Sequence, residues 1–303
     1  MNSSEETNKQ FRSGHVALVG RPNVGKSTLL NALVGEKLSI VTAKPHTTRH
    51  VIRGVLNRPS GQAIFIDTPG FSRDSRRVLH RLMARALRQT QEDADLIVLV
   101  TEANRPIDQD AELMREVLAA SVPAILVINK IDRLKSRDQL LPRLQELQQF
   151  PFLEFVPISA RSGSNLDALE QAIMRHLPEG PALYPVDFRT DKSKVFRAAE
   201  IIREKLMNGL HQEIPYGLAV EIETLQEDGD RLLVHAVIWV ERESHKRIVI
   251  GSQGSVLKRV GQEARTELNP LFDTRVHLEL WVKVREHWSD NAEALRRLGY
   301  DQL

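Results

Sequence analysis

The first half of the chain alternates short apolar runs with amphipathic stretches of helical length. The apolar runs lie at residues 15–19, 63–66, 96–100, 124–128 and 155–158. Helical periodicity lies between them, at residues 27–33, 76–88, 108–118, 138–149 and 166–175. Because strands made of continuous apolar runs are buried on both faces, the pattern predicts an α/β fold with a mostly parallel sheet covered by helices. Residues 51–56 alternate instead and predict an edge strand.

The second half has the pattern of an α+β domain. A helix is predicted at residues 193–208, with Glu200 and Glu204 on a solvated face. Alternating strands follow at 216–224 and 232–241, separated by the turn sequence Asp-Gly-Asp. Two helical segments joined by Gly-x-x-Gly are predicted within 247–267, and a last strand at 275–284.

A segment rich in proline and glycine separates the two patterns. We predict a first domain at residues 14–177, a linker at 178–192 and a second domain at 193–303. Residues 1–13 are polar and lack an apolar stretch, so they are interpreted as a disordered tail rather than a secretion signal.

The composition is that of a globular protein without cysteine. The 303 residues are 41% hydrophobic and 27% charged, and the longest apolar run is far shorter than the ~20 residues that span a bilayer. The lack of cysteine excludes disulfides, zinc–thiolate centres and cysteine nucleophiles, and it fits a reducing cytoplasm. A net charge of +2 gives no global sign of nucleic-acid binding, so any RNA-binding surface has to be local.

The first apolar run leads directly into the sequence GRPNVGKS at residues 20–27, which a helix pattern follows. Backbone N–H groups of such a glycine-rich loop wrap a polyphosphate, and the helix N-terminus favours the negative charge. Lys26 is predicted to reach the β- and γ-phosphates, and the Ser27 hydroxyl to ligate Mg²⁺. A chance glycine-rich turn is the alternative, but the strand before and the helix after it oppose that interpretation.

Two further motifs follow buried strands and select guanine nucleotides. In the sequence DTPG at residues 67–70, the Asp67 carboxylate is predicted to hold Mg²⁺ through water, and the Gly70 N–H to contact the γ-phosphate. In NKID, residues 129–132, Asp132 can accept hydrogen bonds from N1–H and the 2-amino group of guanine, which adenine lacks. Ser159-Ala160, after the next strand, is predicted to offer a backbone N–H to guanine O6.

A polar loop at residues 39–50 contains paired threonines, and we expect it to fold over the nucleotide when a γ-phosphate and Mg²⁺ order it. Thr48 is favoured over Thr47 as the metal ligand, and a plain mobile loop is the alternative. Catalytic roles are assigned to Lys26, Thr48 and Gly70, and Mg²⁺ ligation to Ser27, Thr48 and Asp67. The predicted GTP-binding residues are Gly20, Arg21, Pro22, Asn23, Val24, Gly25, Lys26, Ser27, Thr28, Asp67, Thr68, Pro69, Gly70, Asn129, Lys130, Asp132, Ser159 and Ala160.

The Gly-x-x-Gly turn at residues 251–254 indicates RNA binding, because such a turn lets nucleotide phosphates approach the backbone. The motif alone is weak, but six basic and two acidic residues lie between Arg242 and Arg265. Trp281 either stacks a base or packs against the adjoining domain or the C-terminal tail, and packing is favoured. The predicted RNA-binding residues are Lys246, Arg247, Gly251, Ser252, Gln253, Gly254, Lys258 and Arg259.

The G-domain motifs resemble those of translation-associated small GTPases, and the chain from about residue 14 to 300 resembles the Era family of bacterial ribosome-assembly GTPases. The resemblance implies a P-loop G domain followed by a type II KH domain. It also implies hydrolysis of GTP to GDP and phosphate, and nucleotide-controlled binding of the 3′ end of 16S rRNA during small-subunit assembly. Mg²⁺ is the implied cofactor. A single phosphate loop and the lack of cysteine set aside relatives with two G domains or a C-terminal cysteine.

Further properties are implied by the resemblance alone. Relatives use the residue at Asn23 to ligate K⁺, although Asn23 as a loop-shaping hydrogen bonder stays an alternative. The resemblance also implies a bacterial cytoplasmic protein, and we expect a monomer. Apart from the resemblance, the basic amphipathic helix at residues 193–208 offers an alternative to its solvated face, namely contact with membrane lipid and weak peripheral association with the inner membrane. Two positions depart from related patterns: Phe71 stands where Ras-like enzymes carry glutamine, and Ser252-Gln253 stands where relatives carry lysine. We therefore expect catalysis without a protein base and a weaker phosphate contact at the turn.

Two other functions stay open at this point. One is a nucleotide-regulated RNA chaperone without meaningful turnover. The other is a P-loop ATPase or kinase, which the NKID motif opposes.

Overall fold

The computed structural model describes residues 10–70, 78–210, 214–298 and 300. Two compact units are formed by the contacts within the chain. The first contains residues 1–37, 52–68 and 87–191, and the second contains residues 38–51, 69–86 and 192–303. This division differs from the domain boundaries predicted at residues 177 and 193. The segments at residues 38–51 and 69–86 precede these boundaries but belong to the second unit. Phe71 lies outside the described residues, as does most of the predicted tail.

The first unit is a six-stranded sheet flanked by helices. Its strands are β1 Arg12–Val19, β2 Ile52–Arg58, β3 Gly61–Asp67, β4 Leu96–Glu102, β5 Ala124–Asn129 and β6 Phe155–Pro157. Its helices are α1 Lys26–Val34, the end of α2 Val78–Glu92, α3 Ile107–Ala119, α4 Leu140–Leu147 and α5 Leu166–His176. The strand order is β2-β3-β1-β4-β5-β6. The order and burial confirm the predicted α/β fold.

All strand pairs of this sheet are parallel except β2–β3, and β2 is the antiparallel edge strand that the alternating pattern predicted. Every residue of β3 and β5 is buried, which explains their continuous apolar sequences. The parallel strands present their carboxyl ends at one edge. Open α/β sheets bind their ligands at this edge, and each nucleotide motif of this chain follows one of these strands.

The segment at residues 178–191 belongs to the first unit and is attached to its strands by hydrogen bonds. The Val55 N–H donates to the Arg189 carbonyl oxygen at 2.8 Å, and the Ser13 N–H donates to the Pro178 carbonyl oxygen at 3.0 Å. The Gln62 amide donates to the Tyr184 carbonyl oxygen at 2.8 Å. This stretch therefore lies along the six-stranded sheet, although its composition is typical of a linker.

The second unit has the order α6 Lys194–Gly209, β7 Leu218–Asp228, β8 Arg231–Val240, α7 Glu243–Ile250, α8 Ser255–Phe272, β9 Arg275–Val284 and α9 Ala292–Arg297. Its sheet has the order β7-β8-β9, with β7–β8 antiparallel and β8–β9 parallel. Apolar residues of α6, α8 and the sheet form one core. A second cluster packs residues from 69–86 and the chain end together and contains Leu79, Met83, Ala219, Trp288, Ala294, Leu295 and Tyr300.

The predicted solvated face of α6 is wrong. Glu200 and Glu204 are only 6% and 3% exposed. Glu200 accepts two hydrogen bonds from the Arg203 guanidinium, at 2.7 and 2.6 Å. Glu204 accepts from the Val41 N–H at 2.9 Å and pairs with Lys205. The segment at residues 38–51 supplies part of this burial, and helical periodicity cannot show a partner so distant in sequence.

No helix among the described residues is long and apolar enough to cross a membrane.

Candidate nucleotide site and RNA surface

The phosphate loop joins β1 to α1 and curls around the Lys26 side chain. The Lys26 ammonium donates to the carbonyl oxygens of Gly20 at 3.0 Å and Arg21 at 3.2 Å. Gly20 has φ +154°, and a Cβ added there would lie 2.5 Å from the Val100 carbonyl oxygen. Gly25 has φ +105°, and its Cβ would collide with the Asn129 amide. Both glycines are therefore required by close backbone approach as well as by backbone conformation.

Burial controls the charge of Lys26. The side chain is 6% exposed, and desolvation lowers its pKa to about 8 although the nearby Asp67 carboxylate opposes the shift. A phosphate group at the loop would favour the charged form. The loop thus holds an ammonium whose charge is stabilised by the ligand that we predict for it.

The structure brings together two of the predicted metal ligands. The Ser27 hydroxyl donates to Asp67 Oδ2 at 2.7 Å, and Asp67 is fully buried at the end of β3. A hydroxyl and a carboxylate side by side are hard oxygen donors and fit Mg²⁺. Thr48 and Gly70 belong to the second unit, and their roles toward the metal and the γ-phosphate stay predictions.

The end of β5 connects the phosphate loop to the residues after β6. The Asn129 amide donates to the Val24 carbonyl oxygen at 2.9 Å, and Asn129 Oδ1 accepts from the Ala160 N–H at 3.0 Å. The Ser159 hydroxyl donates to Asp132 Oδ1 at 2.6 Å. These bonds place the Asp132 carboxylate beside the Ser159-Ala160 turn, as base recognition requires. The predicted bond from Ala160 to guanine O6 requires that Asn129 share this N–H.

The Gly-x-x-Gly turn lies between α7 and α8. Gly251 and Gly254 have φ +77° and +75°, and Gln253 also has positive φ. A Cβ on Gly251 would lie 2.9 Å from the Val256 nitrogen, whereas nothing lies within 4 Å of a Cβ on Gly254. The backbone at Gly254 is therefore open to a ligand, and the exposed Ile248 of α7 lies near it in the chain.

The predicted phosphate-binding cations differ in their surroundings. Within the described part of the chain, the side chains of Lys246, Arg247 and Lys258 make no hydrogen bond or ion pair. Arg259 instead donates to the Gly209 carbonyl oxygen at 3.3 Å, at the end of α6. Trp281 is 57% exposed among the described residues, and its packing against the adjoining domain or the C-terminal tail stays a prediction. The sequence had no signal for either arrangement, because both depend on how α6, α8 and β9 pack.

Sequence analysis also missed a buried polar cluster in the second unit. The Arg49 guanidinium donates to the carbonyl oxygens of Leu218, Pro215 and Tyr216, at 2.7 to 3.1 Å. The Arg203 guanidinium donates to the Thr47 carbonyl oxygen at 2.6 Å.

The neighbouring His50 ring stacks on Tyr300 with centroids 4.3 Å apart, and burial lowers the pKa of His50 to about 4. The segment at residues 38–51 is thus anchored to residues 192–303 of the second unit by buried polar groups. The only sequence signal for these buried contacts was the high proportion of polar residues around Thr47 and Thr48.

The depressed pKa of Lys26 predicts a pH-dependent affinity for GTP. Lysine is charged below its pKa, so its attraction to phosphate is complete below pH 8 and weakens as the pH rises through that value. We expect the GTP dissociation constant to be flat from pH 6.5 to 7.5 and then to rise, by up to about tenfold per pH unit. Equilibrium titrations would measure it.

Lys26→Arg is the matched control, because its guanidinium stays charged throughout this range. Any titration of the nucleotide itself affects both proteins equally. An identical pH dependence in the two proteins would contradict the assignment to Lys26.

Comparison with known proteins identifies both halves. Residues 15–130 match the family described as 50S ribosome-binding GTPase, and residues 213–289 match the KH domain. The chain is 46% identical to GTPase Era of Pseudomonas entomophila (strain L48) over 297 residues, covering 98% of this chain and 99% of that protein. It is 47% identical to GTPase Era of Ectopseudomonas mendocina (strain ymp) over 290 residues, covering 95% and 97%.

Solved structures agree with these matches. A variant of Aquifex aeolicus Era bound to GDP·AlF4⁻ has a TM-score of 0.91 at 41% identity, covering 95% of this chain and 99% of that chain. Era in complex with MgGDPNP and nucleotides 1506–1542 of 16S ribosomal RNA has the same TM-score and identity, covering 96% and 99%. This chain therefore belongs to the GTPase Era family and is a GTP-hydrolysing enzyme made of a P-loop G domain followed by a KH domain.

Proposed function

We propose that this GTPase acts in assembly of the small ribosomal subunit by binding the 3′ end of 16S rRNA through its KH domain, under control of the bound nucleotide. The observation that carries the proposal is the open backbone at Gly254, flanked by Lys246, Arg247 and Lys258, whose charges have no partner among the described residues. A family member of the same architecture has been crystallised with MgGDPNP and 16S rRNA nucleotides 1506–1542. Membership of a GTPase family leaves the ATPase and non-hydrolysing chaperone alternatives without support.

For the hydrolytic step, we assign roles by position in the first unit. The Lys26 ammonium neutralises the β- and γ-phosphates, and the oxygens of Ser27 and Asp67 hold Mg²⁺. A bound Mg²⁺ supplies positive charge to the phosphate oxygens. Asp132 accepts from guanine and fixes the orientation of the nucleotide. Thr48 and Gly70 complete the metal and γ-phosphate contacts when the loop and the DTPG motif close on GTP. Catalysis then rests on positioning and electrostatics.

For RNA binding, we assign backbone contact to the turn and charge neutralisation to the flanking helices. Gly251, Ser252, Gln253 and Gly254 carry no charge, so their contribution is close approach of backbone to phosphate. Lys246 and Arg247 on α7 and Lys258 on α8 supply most of the positive charge. Arg259 contributes less, because its guanidinium is shared with the end of α6.

The RNA assignment predicts a loss of binding at one glycine. Gly254→Asp adds a carboxylate where the added side chain meets no protein atom, so RNA phosphates should be repelled. The φ of +75° strains any side chain there, but aspartate is among the residues that adopt this conformation most readily, so we expect the turn to fold. We expect at least about a hundredfold weaker binding of a 16S rRNA 3′-end oligonucleotide, with GTP affinity unchanged, by filter binding. Gly251→Asp is the less informative variant, because it collides with the Val256 backbone.

The salt dependence of binding separates direct phosphate neutralisation from overall charge. Lys246→Gln with Lys258→Gln should lower the salt slope by up to about 0.7 log unit for each RNA phosphate that the variant no longer neutralises. Arg275→Gln, at the exposed first residue of β9, removes a cation away from the turn and is the control. Wild-type affinity in the Gly254→Asp protein, or equal slopes in the double variant and the control, would contradict the assignment.

We propose that the nucleotide state reaches the KH domain through residues 38–51. A γ-phosphate and Mg²⁺ order such loops in GTPases, and hydrolysis releases them. In this protein the loop packs with the KH half through three carbonyl hydrogen bonds from Arg49 and one from Arg203 to Thr47. We therefore expect these hydrogen bonds to the KH domain to form when GTP orders the loop and to break when hydrolysis releases it.

This route predicts that Arg49 couples GTP to RNA. Arg49→Gln removes most of the hydrogen bonds to residues 215–218, so RNA affinity should become the same with GDP and with a non-hydrolysable GTP analogue. Titration of the RNA oligonucleotide in both nucleotide states measures this difference. Arg53→Gln, which removes an exposed arginine of β2, is the control and should keep the wild-type difference. A full nucleotide effect in Arg49→Gln would exclude this route.

We also propose that Asn23 ligates K⁺ next to the phosphates, as the family resemblance implies. Asn23 has a left-handed backbone with φ 65°, and its carbonyl oxygen accepts from Lys130. Replacement of KCl by NaCl should slow hydrolysis in the wild type, and Asn23→Ala should abolish the difference. Steady-state phosphate release in the two salts tests this, and equal wild-type rates would return Asn23 to a structural role.

For location and assembly, we propose a cytoplasmic monomer. The apolar face of α6, a basic amphipathic helix, lies in the core with Ile202 and Leu206 fully buried, so this helix offers no apolar face to lipid. Any peripheral association with the inner membrane would require another surface.

A further inference from the structure

A buried carboxylate lies directly behind the phosphate loop. Asp110, in the first turn of α3, is 4% exposed. Its Oδ1 lies 3.0 Å from Nε of Arg21 and 3.6 Å from Nη1 of Arg105. Its Oδ2 accepts a hydrogen bond from the Thr101 hydroxyl at the end of β4. The nucleotide motifs do not include Asp110, Arg105 or Thr101.

Arg21 carries this interaction into the loop. Its guanidinium also donates to the Gln109 carbonyl oxygen, so two consecutive residues of α3 hold one side chain. The Arg21 carbonyl oxygen in turn accepts from the Lys26 ammonium at 3.2 Å. A continuous chain of contacts therefore runs from Thr101 through Asp110 and Arg21 to the lysine that faces the phosphates.

A second series of contacts holds the loop at Asn23, two residues after Arg21. Glu102 pairs with Arg105 at 3.2 Å and with Lys130 at 2.9 Å. Lys130 donates to the Asn23 carbonyl oxygen. Residues 21–23 are thus held at one end by the first turn of α3 and at the other by Lys130, which pairs with Glu102 at the end of β4. The first chain is buried at Thr101 and Asp110, where charged interactions are strong, and both chains become exposed where they reach Arg21 and Asn23.

The charge balance around Asp110 gives the direction of its effect. Among the described residues, the guanidinium groups of Arg21 and Arg105 lie within 4 Å of this carboxylate, and the more distant Arg143 of α4 interacts with it electrostatically. Arg143 is 9% exposed, and its Nε and Nη2 have no hydrogen-bond partner in the described part of the chain. Arg21 has a 35% exposed side chain and is the guanidinium with a short route to solvent. Without the Asp110 charge these guanidinium groups would repel one another, so we expect the Arg21 side chain to move into solvent.

We propose that Asp110 is a positioning residue of GTP hydrolysis: through Arg21, it holds the backbone that presets the Lys26 ammonium for the β- and γ-phosphates. The inference rests on the phosphate-binding role proposed for Lys26. It assigns to α3 a function in the reaction that its sequence does not show. The base-binding residue Asp132 has its own partner in Ser159 and does not contact Asp110 or Arg21, so we expect Asp110 to act mainly on phosphate recognition.

The test compares nucleotides that differ in phosphate number. Asp110→Asn and Arg21→Gln should each weaken GTP and GDP binding by about tenfold and lower kcat/KM for GTP by about ten- to hundredfold. The affinity for GMP, which lacks the phosphates that Lys26 contacts, should stay at the wild-type value in competition titrations. The double variant should be no worse than either single variant, because both break the same contact.

Asp108→Asn is the matched control. Asp108 lies in the same first turn of α3 and carries the same charge, but it is exposed. This variant reproduces the change in helix-end electrostatics without touching Arg21, and it should behave as wild type. Arg21→Gln keeps the test decisive if Asp110→Asn fails to fold, because the Arg21 side chain is partly exposed.

Three outcomes would overturn the proposal. They are wild-type kinetics in Arg21→Gln, equal losses for GMP, GDP and GTP, and additive losses in the double variant. Lys26→Ala separates this failure from failure of the site itself. If Lys26→Ala also leaves GTP binding unchanged, the role of Lys26 is wrong. If it abolishes binding while Arg21→Gln does not, only the role of Asp110 is wrong.

Discussion

The structure of the first unit depends on burying one ammonium group at the carboxyl edge of a parallel sheet. Lys26 is almost inaccessible, close to the fully buried Asp67, and it binds two carbonyl oxygens of its own loop. Such a group is stable only if backbone oxygens surround it closely. The glycines allow the backbone to take this path, and the Val100 carbonyl oxygen leaves no room for a side chain at Gly20. The strands on either side supply the other partners, because parallel strands end at a common edge. The buried Lys26 ammonium and the loop and strands around it are therefore parts of one arrangement.

The segment at residues 38–51 shows how a nucleotide-sensing loop can serve two parts of a protein. Its threonines carry the chemistry expected of a metal-ordered loop, yet its neighbours Arg49 and His50 are buried with residues of the KH half. Polar groups buried in this way require complete partners, so the segment has a defined docked arrangement rather than a continuum of positions. That property suits a two-state element, in which binding at one site is felt at another.

The candidate sites differ in how far sequence reasoning reached. The phosphate loop, DTPG and NKID are local motifs whose chemistry is carried by adjacent residues, and Ser27 and Asp67 lie as far apart as their predicted roles require. The RNA surface was less predictable. No sequence signal indicated that Arg259 would bind the end of α6 or that Trp281 would be exposed among the described residues. Glu200 and Glu204 are buried, although a solvated face was predicted for them. Each of these outcomes depends on a neighbour distant in sequence or on packing between elements.

The sequence by itself determined the elements and their order, because apolar periodicity and glycine-containing turns act over a few residues. It also determined guanine chemistry, since hydrogen-bonding groups follow the strands at fixed spacing. Only the tertiary structure decided that residues 38–51 pack with the KH half, that Arg21 is held by Asp110, and that residues 178–191 follow the first sheet. These are contacts between charges and carbonyl groups distant in sequence. Their partners are chosen by which surfaces meet when the apolar cores close, and no local pattern records that choice.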